Sequence, residues 1–271
     1  MDFEVAPQVA RENIQLNVHN IHTLKQNPPA HFEAVRFDPN NNCNLRCVYC
    51  HNDRSSETID MEEFRSFLDN NILSMVDFQV GCIMEPTMDR RMCDLMLMVA
   101  NSAAKPSRSM ILQTNGVLLN RHDYGKMRDA GLSELSVSVD AASAETHKTL
   151  RGGTSLDTVV SNLKAFKKTC PDTLVTFIST VTSINVGDLG ALVQQGLDLG
   201  VKKFVFREMF YYPESSIVDH GKMLALLLKG NEFSRMKQGI LDRFANQACF
   251  VFADNATLEK NTEEIKAASK R

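Results

Sequence analysis

Residues 33–52 read EAVRFDPNNNCNLRCVYCHN. The first six (33–38) are an apolar-rich run of strand length. Pro39 and three consecutive asparagines, Asn40 to Asn42, then break it. Immediately afterwards Cys43, Cys47 and Cys50 fall within eight residues, three of the chain's seven cysteines. A strand that delivers a polar, thiol-rich loop raises two questions: what architecture repeats around it, and what three thiols hold.

The pattern recurs along the chain. Short apolar runs at 76–81, 109–114, 134–139, 173–181 and 203–209 alternate with stretches of helical period. Asp60-Met61-Glu62-Glu63 reads as a capping box opening a helix that buries Phe64, Phe67 and Leu68. Met92, Leu95, Met96 and Val99 make the stripe of the next helix, and Met127, Ala130 and Leu132 end a third at Gly131. Residues 155–169 and 186–198 carry similar stripes. Six β-α units in this order predict a parallel sheet with right-handed crossovers, either an open partial barrel or a doubly wound sheet. In both, ligands gather at the carboxyl ends of the strands.

The domain reading follows. Residues 1–32 are a lead-in, helical over 1–30 and ended by Asn27-Pro28-Pro29; 33–210 are the α/β body; 211–271 are a mainly helical extension packed on it. Within that extension 211–223 is loop-like, 220–245 helical, 249–252 a further strand and 256–271 a charged helix.

Composition narrows the function classes. The 271 residues carry 30 Lys+Arg against 33 Asp+Glu, a net of −3, with no basic stripe, which argues against nucleic acid as the main partner. The first residues lack the charged start and apolar centre of a signal peptide, and no apolar run is long enough to span a bilayer. The expected location is cytoplasmic, where thiols stay reduced. Seven irregularly spaced cysteines make no disulfide framework, so the cluster points to metal or redox chemistry.

The spacing C-x3-C-x2-C suits thiolate ligation of zinc or of an iron–sulfur cluster. A structural zinc site takes four protein ligands, yet His51 directly adjoins Cys50 and Cys82 follows a different strand. Three cysteines holding three irons of a 4Fe–4S cluster, with the fourth iron open to a small molecule, is the better reading.

This motif, with aromatic Tyr49 before its last cysteine, resembles that of the radical S-adenosylmethionine (SAM) enzymes. The resemblance implies a partial (β/α)6 TIM-like barrel, a 4Fe–4S cluster on Cys43, Cys47 and Cys50, and SAM on the open iron. It implies reductive cleavage to a 5′-deoxyadenosyl radical that abstracts hydrogen from a small-molecule or peptide substrate, with an electron donor such as flavodoxin or ferredoxin. Gly81-Cys82-Ile83-Met84-Glu85-Pro86-Thr87 resembles the family's Gly-Gly-Glu-Pro loop, so Gly81, Glu85 and Pro86 would serve the SAM amino group. Thr114 and Asn115, in Gln113-Thr114-Asn115-Gly116, would line the cavity.

SVSVDAASAETHKTLRGG (136–153) is similar to the branch containing molybdenum-cofactor-biosynthesis and peptide-modifying members. Ser136, Ser138 and Asp140 share one side of their strand, with Ser138 a ribose contact, and Arg151 would grip the SAM carboxylate. Asn185 would meet adenine or ribose, and Tyr49 would lie beside the adenine. One of Arg207 and Glu208 should face the cavity. Many such members carry a cysteine-rich C-terminal domain that binds extra clusters; only Cys249 lies beyond residue 210 here, so an auxiliary cluster is not expected. Two alternatives stand beside this reading: an activating enzyme for a glycyl-radical protein, and a non-catalytic iron–sulfur or zinc module.

Overall fold

The computed structural model describes residues 12–16, 32–70, 75–103 and 109–255. Its frame is one parallel sheet of eight strands in sequential order: β1 (Glu12–Leu16), β2 (Phe32–Phe37), β3 (Met75–Val80), β4 (Ser109–Thr114), β5 (Leu132–Ser138), β6 (Leu174–Val181), β7 (Lys203–Glu208) and β8 (Cys249–Ala253). A doubly wound sheet reverses its strand order at a switch point, and this one never does. Crossovers of a single hand then put the helices on one face, and the sheet curls with a concave face left for ligands. Among the described residues β1 and β8 do not pair with each other, so the barrel is open. The six strands read from the sequence are β2 to β7, and the run at 249–252 is β8.

One expectation is corrected. Within the supposed helical lead-in, the described segment is a strand: β1 runs parallel to β2 from Glu12 opposite Phe32 to Leu16 opposite Phe37. Asn13-Ile14-Gln15-Leu16 alternates with a period of two, and β2 would otherwise expose an unpaired edge. The rest of that lead-in, and the charged stretch 256–271, lie outside the described residues.

The helices are α1 (Met61–Asn70), α2 (Met92–Ala100), α3 (Tyr124–Asp129), α4 (Ala144–Leu150), α5 (Leu156–Thr169), α6 (Leu189–Asp198), α7 (His220–Leu226) and α8 (Glu232–Phe244). Asp60 caps α1, accepting from the Glu62 and Glu63 N–H groups at 2.8 and 2.9 Å, and Phe64, Phe67 and Leu68 are buried. Neighbouring helices pack in a ring, α1 on α2, α2 on α3, α3 on α5 and α6 on α8.

Each inner strand gives alternate side chains to that ring. Val35 and Phe37, Phe78 and Val80, Leu135 and Val137, and Phe204 and Phe206 are all buried. The positions that alternate with them, such as Arg36, Gln79, Ser136 and Arg207, therefore face the concave side. Beyond β7 the chain thickens the same core through Phe233, Ile240 and Phe244 of α8. It also builds a smaller cluster, in which Met223 and Leu226 of α7 join Leu150 and Met209, with Tyr49 and Tyr211 packed against them.

Phe204 anchors the last strand: fully buried, it meets Phe177 edge-on at 5.9 Å and stacks on Phe250 at 5.6 Å. Phe204→Ala should lower unfolding stability by about 3–5 kcal/mol in urea titrations, the usual cost of emptying an aromatic core position. A loss within error of zero would mean that this aromatic stack does not hold β8.

Candidate functional site

The carboxyl ends of β2 to β7 open onto a cavity of about 520 Å³. Cys43, Cys47 and Cys50 lie in its wall with Tyr49, Glu85, Thr114, Asn115, Ser138 and Arg151. The cysteine loop is held from both sides. Asn40 bridges Thr58, Asn41 N–H donates to Glu57 O at 3.0 Å, and Ser55 N–H returns to Asn41 O at 2.8 Å. Opposite, Val48 N–H donates to Leu150 O at 3.0 Å. There Gly152 has φ +67°, and a Cβ would stand 2.4 Å from Arg46 O, so only glycine lets the 150–153 turn lie against the loop.

Each of the three sulfurs meets nitrogen donors. Cys43 Sγ accepts from Leu45 N at 3.5 Å and Asn115 Nδ2 at 3.9 Å; Cys47 Sγ from Arg151 Nη1 at 3.9 Å; Cys50 Sγ from Arg54 Nη2 at 3.8 Å and Asn52 Nδ2 at 4.0 Å. Arg54 also donates to the carbonyls of Cys43 and Leu45, shaping the loop from within. Donors aimed at sulfur stabilise thiolate and the negative charge of a bound cluster. Without such a group, burial pushes the Cys43 and Cys47 thiols upward, so loading releases protons.

Cys82 shares the cavity but has the opposite polarity. Its thiol donates to Asp38 Oδ2 at 2.8 Å, and burial, then the Asp38 charge, drives it far above the ordinary thiol range. Among the described residues no three His, Cys, Asp or Glu side chains converge to hold a single metal ion. His51 stacks on Tyr212 with ring centroids 3.5 Å apart. The three thiols are one short of the four protein ligands a structural zinc takes, and their chemistry fits a cluster that takes one thiolate per iron.

Two buried carboxylates organise the rim. Glu85 Oε1 accepts from Thr87 N at 3.1 Å and Thr114 Oγ1 at 2.7 Å, and Oε2 from Asn115 N at 2.6 Å. Its backbone joins the cysteine loop, donating to Asn42 O and accepting from Asn40 Nδ2, both at 3.0 Å. Burial pushes the Glu85 carboxyl up while those donors pull it back.

Asp140, fully buried, accepts from the Tyr49 hydroxyl and from Thr180 N at 2.9 Å. It also pairs with Arg151, Nε to Oδ2 at 2.6 Å and Nη2 to Oδ1 at 3.3 Å. Burial alone would pull the Arg151 guanidinium down; Asp140 more than offsets it, and the cation is held above its ordinary range.

Four expected ligand contacts stand behind the cavity wall. Asp140 is saturated by Arg151, Tyr49 and Thr180, so it positions groups that touch the cavity. Asn185, fully buried, accepts from Thr182 N and Oγ1 and donates to Asp140 O and Thr180 O, which leaves nothing for adenine or ribose. Gly81 extends the β2–β3 ladder through its N–H to Phe37 O at 2.7 Å, and Pro86 is buried at the start of a short 3₁₀ turn. Both residues of the pair on β7 line the cavity, and the Glu208 carboxylate accepts from Asn255 N at 2.9 Å.

Asp38 and Arg54 were not singled out by the sequence. Asp38 Oδ1 gathers the N–H groups of Cys82, Ile83 and Met84 at 3.0–3.3 Å, securing the loop that lacks the family's glycines. An acidic residue closing the strand before the cysteines was the available signal.

A parallel partial barrel with a thiol cluster at its carboxyl rim defines an α/β enzyme frame. The sequence model of the radical SAM superfamily matches residues 38–195, more than half of the chain, and the chain belongs to that superfamily. Enzymes of this superfamily use a 4Fe–4S cluster and SAM. A probable GTP 3′,8-cyclase of Methanocaldococcus jannaschii is 25% identical over 174 residues, 62% of this chain and 56% of that protein. An AdoMet-dependent heme synthase of Methanosarcina barkeri is 31% identical over 114 residues, 41% of this chain and 32% of that one.

The fold resembles Streptococcus suis SuiB bound to S-adenosylmethionine, with TM-score 0.65 and 14% identity over 86% of this chain and 53% of that one. It also resembles anSMEcpe with bound AdoMet and Cp18Cys peptide, with TM-score 0.63 and 19% identity over 80% and 62%. The chain spans about half the length of the GTP 3′,8-cyclases and of SuiB. No helix among the described residues is long and apolar enough to cross a membrane.

Asp140→Ala should cost about 3–5 kcal/mol in urea unfolding, because Arg151 remains buried without its anion. His147 on α4 yields a pH signature. It is 1% exposed, neither ring nitrogen has a partner, and burial, then the Arg151 charge, lowers it to about 4. The unfolded chain therefore binds a proton that the folded one refuses between pH 6.5 and 4. Stability from this group is complete above pH 6.5 and falls by about 3 kcal/mol as pH drops to 4. Denaturation curves of His147→Leu across that window should lack this component; an unchanged slope would remove His147 as its source.

Proposed function

We propose that the chain cleaves S-adenosylmethionine reductively, with Cys43, Cys47 and Cys50 each binding one iron of a 4Fe–4S cluster and SAM on the iron without a protein ligand. The observation that carries this reading is the polarity of the sulfurs: N–H donors face these three, while Cys82 is itself a donor to Asp38. When bound, the cluster supplies the electron that breaks SAM to a 5′-deoxyadenosyl radical, which takes a hydrogen atom from substrate.

The protein's own groups bind and orient. Asp140 occupies one edge of the Arg151 guanidinium, and the remaining Nη1 points toward Cys47, where it offers a cation to the SAM carboxylate. Glu85 Oε2 has one protein donor and keeps a lone pair for the SAM ammonium. Tyr49, its hydroxyl tied to Asp140, presents its ring as a wall for adenine, with its neighbouring backbone reading the exocyclic amine. Ser138 serves the ribose, and Thr114 and Asn115 line the approach. Gly81, Pro86, Asp140 and Asn185 keep this wall in place. The substrate is a small molecule or peptide, the electron donor a flavodoxin or ferredoxin, and the setting cytoplasmic.

Anaerobic reconstitution with iron and sulfide, followed by SAM and a strong reductant, should yield 5′-deoxyadenosine. Alanine at Cys43, Cys47 or Cys50 should abolish both iron–sulfur absorbance and this product, whereas Cys82→Ala should keep the cluster. Loss of the cluster in Cys82→Ala would overturn the ligand assignment. A sound cluster with no SAM cleavage under any reductant would leave a non-catalytic iron–sulfur module.

A further inference from the structure

We infer that Phe210 and Tyr212 form an aromatic corner in the cavity wall that seats a planar ring of the substrate, an inference that rests on the proposed use of this cavity. The segment after β7 reads Met209-Phe210-Tyr211-Tyr212, and its side chains go to alternate sides. Met209 is buried and Tyr211 half-buried, both in the small cluster with Leu150 and Met223. Phe210 and Tyr212 instead line the cavity that contains the three cysteines, and they remain 38% and 37% exposed.

The inward pair fixes the outward pair. Met209 N–H donates to Val181 O at 3.0 Å, and the Met209 carbonyl accepts from Asn255 Nδ2 at 3.1 Å. The Tyr211 hydroxyl meets His220 Nδ1 of α7 at 3.0 Å. Held this way, Phe210 and Tyr212 stand edge to face, with ring centroids 4.9 Å apart and planes at 64°. Tyr212 is braced in turn by the His51 ring stacked on it at 3.5 Å. His51 directly follows Cys50, so a row of three rings joins the cysteine loop to the end of β7 along one cavity wall.

These rings serve the cavity and not the core, since neither Phe210 nor Tyr212 packs into either buried apolar cluster. A fold that anchors Met209 and Tyr211 so firmly, yet leaves the rings between and beyond them open to the active-site space, has preorganised them for a ligand. An aliphatic group gains only burial there. A planar ring gains more, because a tilted aromatic pair gives it the face of one ring and the edge of the other together. Ile83 of the β3 loop, 43% exposed in the same wall, adds apolar surface without charge. In the proposed reading the SAM adenine has its own wall in Tyr49, whose hydroxyl is tied to Asp140, which leaves this corner to the substrate.

The test uses the full chain reconstituted anaerobically, with N-acetyl-tryptophanamide as probe and indole fluorescence anisotropy as readout. The chain contains no tryptophan, so the probe is the sole indole present. Its anisotropy should rise saturably with wild-type protein, and equally so when S-adenosylhomocysteine is present in excess. Phe210→Leu and Tyr212→Leu should each weaken binding about tenfold, as loss of a stacking partner requires. Tyr212→Phe, which keeps the ring, should bind within about twofold of wild type. Leu224→Ala, on the exposed side of α7 and outside the cavity wall, should not change it. Since both rings are more than a third exposed and their anchors are untouched, the variants should keep the wild-type cluster absorbance and melting curve.

Absence of saturable binding, or equal binding in the Leu variants, overturns the inference. Competition by N-acetyl-cyclohexylalanine amide as strong as that by N-acetyl-phenylalanine amide also overturns it, because the seat would then read apolar bulk and not a ring. Loss of probe binding in excess S-adenosylhomocysteine overturns it as well, since the corner would belong to adenine. The 5′-deoxyadenosine yield of the same wild-type preparation is scored separately. Ring-dependent probe binding without SAM cleavage supports the aromatic seat and sinks the radical reading; cleavage without probe binding does the reverse.

Discussion

A carboxylate with no access to water governs the geometry of the rim. Asp140 leaves β5 into a fully buried position, where an uncompensated charge would cost several kcal/mol. Its compensation comes from three different parts of the chain: the Arg151 guanidinium after α4, the Tyr49 hydroxyl from the cysteine loop and the Thr180 N–H of β6. Because each donor must reach the same two oxygens, the cysteine loop, the 150–153 turn and the β5–β6 edge cannot move independently. Asn185 adds a fourth tie through the Asp140 carbonyl. Such a network contributes more to a single arrangement than to net stability, since desolvation cancels much of the Coulombic gain.

The same rule explains why cysteines sharing one cavity differ. Backbone N–H groups at the end of β3 need acceptors, and Asp38 supplies them, which leaves a carboxylate beside Cys82 and keeps that sulfur protonated. On the other side, Arg54, Arg151, Asn115 and Asn52 direct N–H groups at Cys43, Cys47 and Cys50. The local field thus sorts thiols by polarity, and position in the cavity alone would not.

The architecture was readable because buried parallel strands are short apolar runs and their helices carry 3.6-residue stripes; β2 to β7 announce themselves this way. β1 did not, since Glu12–Leu16 is polar at every other position and becomes a strand only because β2 offers an open edge. At the site, spacing identified the cysteines, and alternation along β5 put Ser138 and Asp140 on the concave side. Alternation states a direction and not a partner. It could not show that Asp140 and Arg151, eleven residues apart, consume each other's charge, nor that Asn185 spends all four of its hydrogen bonds inside the protein.

The concave face also grades from floor to rim. At the floor Glu134 meets Lys203, with Ser136 donating to the same carboxylate, so charge is balanced within the protein. At the rim charges of both signs interleave, with Arg54 and Arg151 beside the buried carboxylates Glu85 and Asp140. A cluster held on the three thiolates, as proposed, would bring negative charge to the cysteine loop, where Arg54 and Arg151 already stand. After β7 the Phe210–Tyr212 segment supplies wall, with Phe210 and Tyr212 lining the cavity and Tyr212 stacked on His51. A partial barrel whose floor is neutralised within the protein leaves its recognition chemistry to the carboxyl end of the sheet, where the thiols lie.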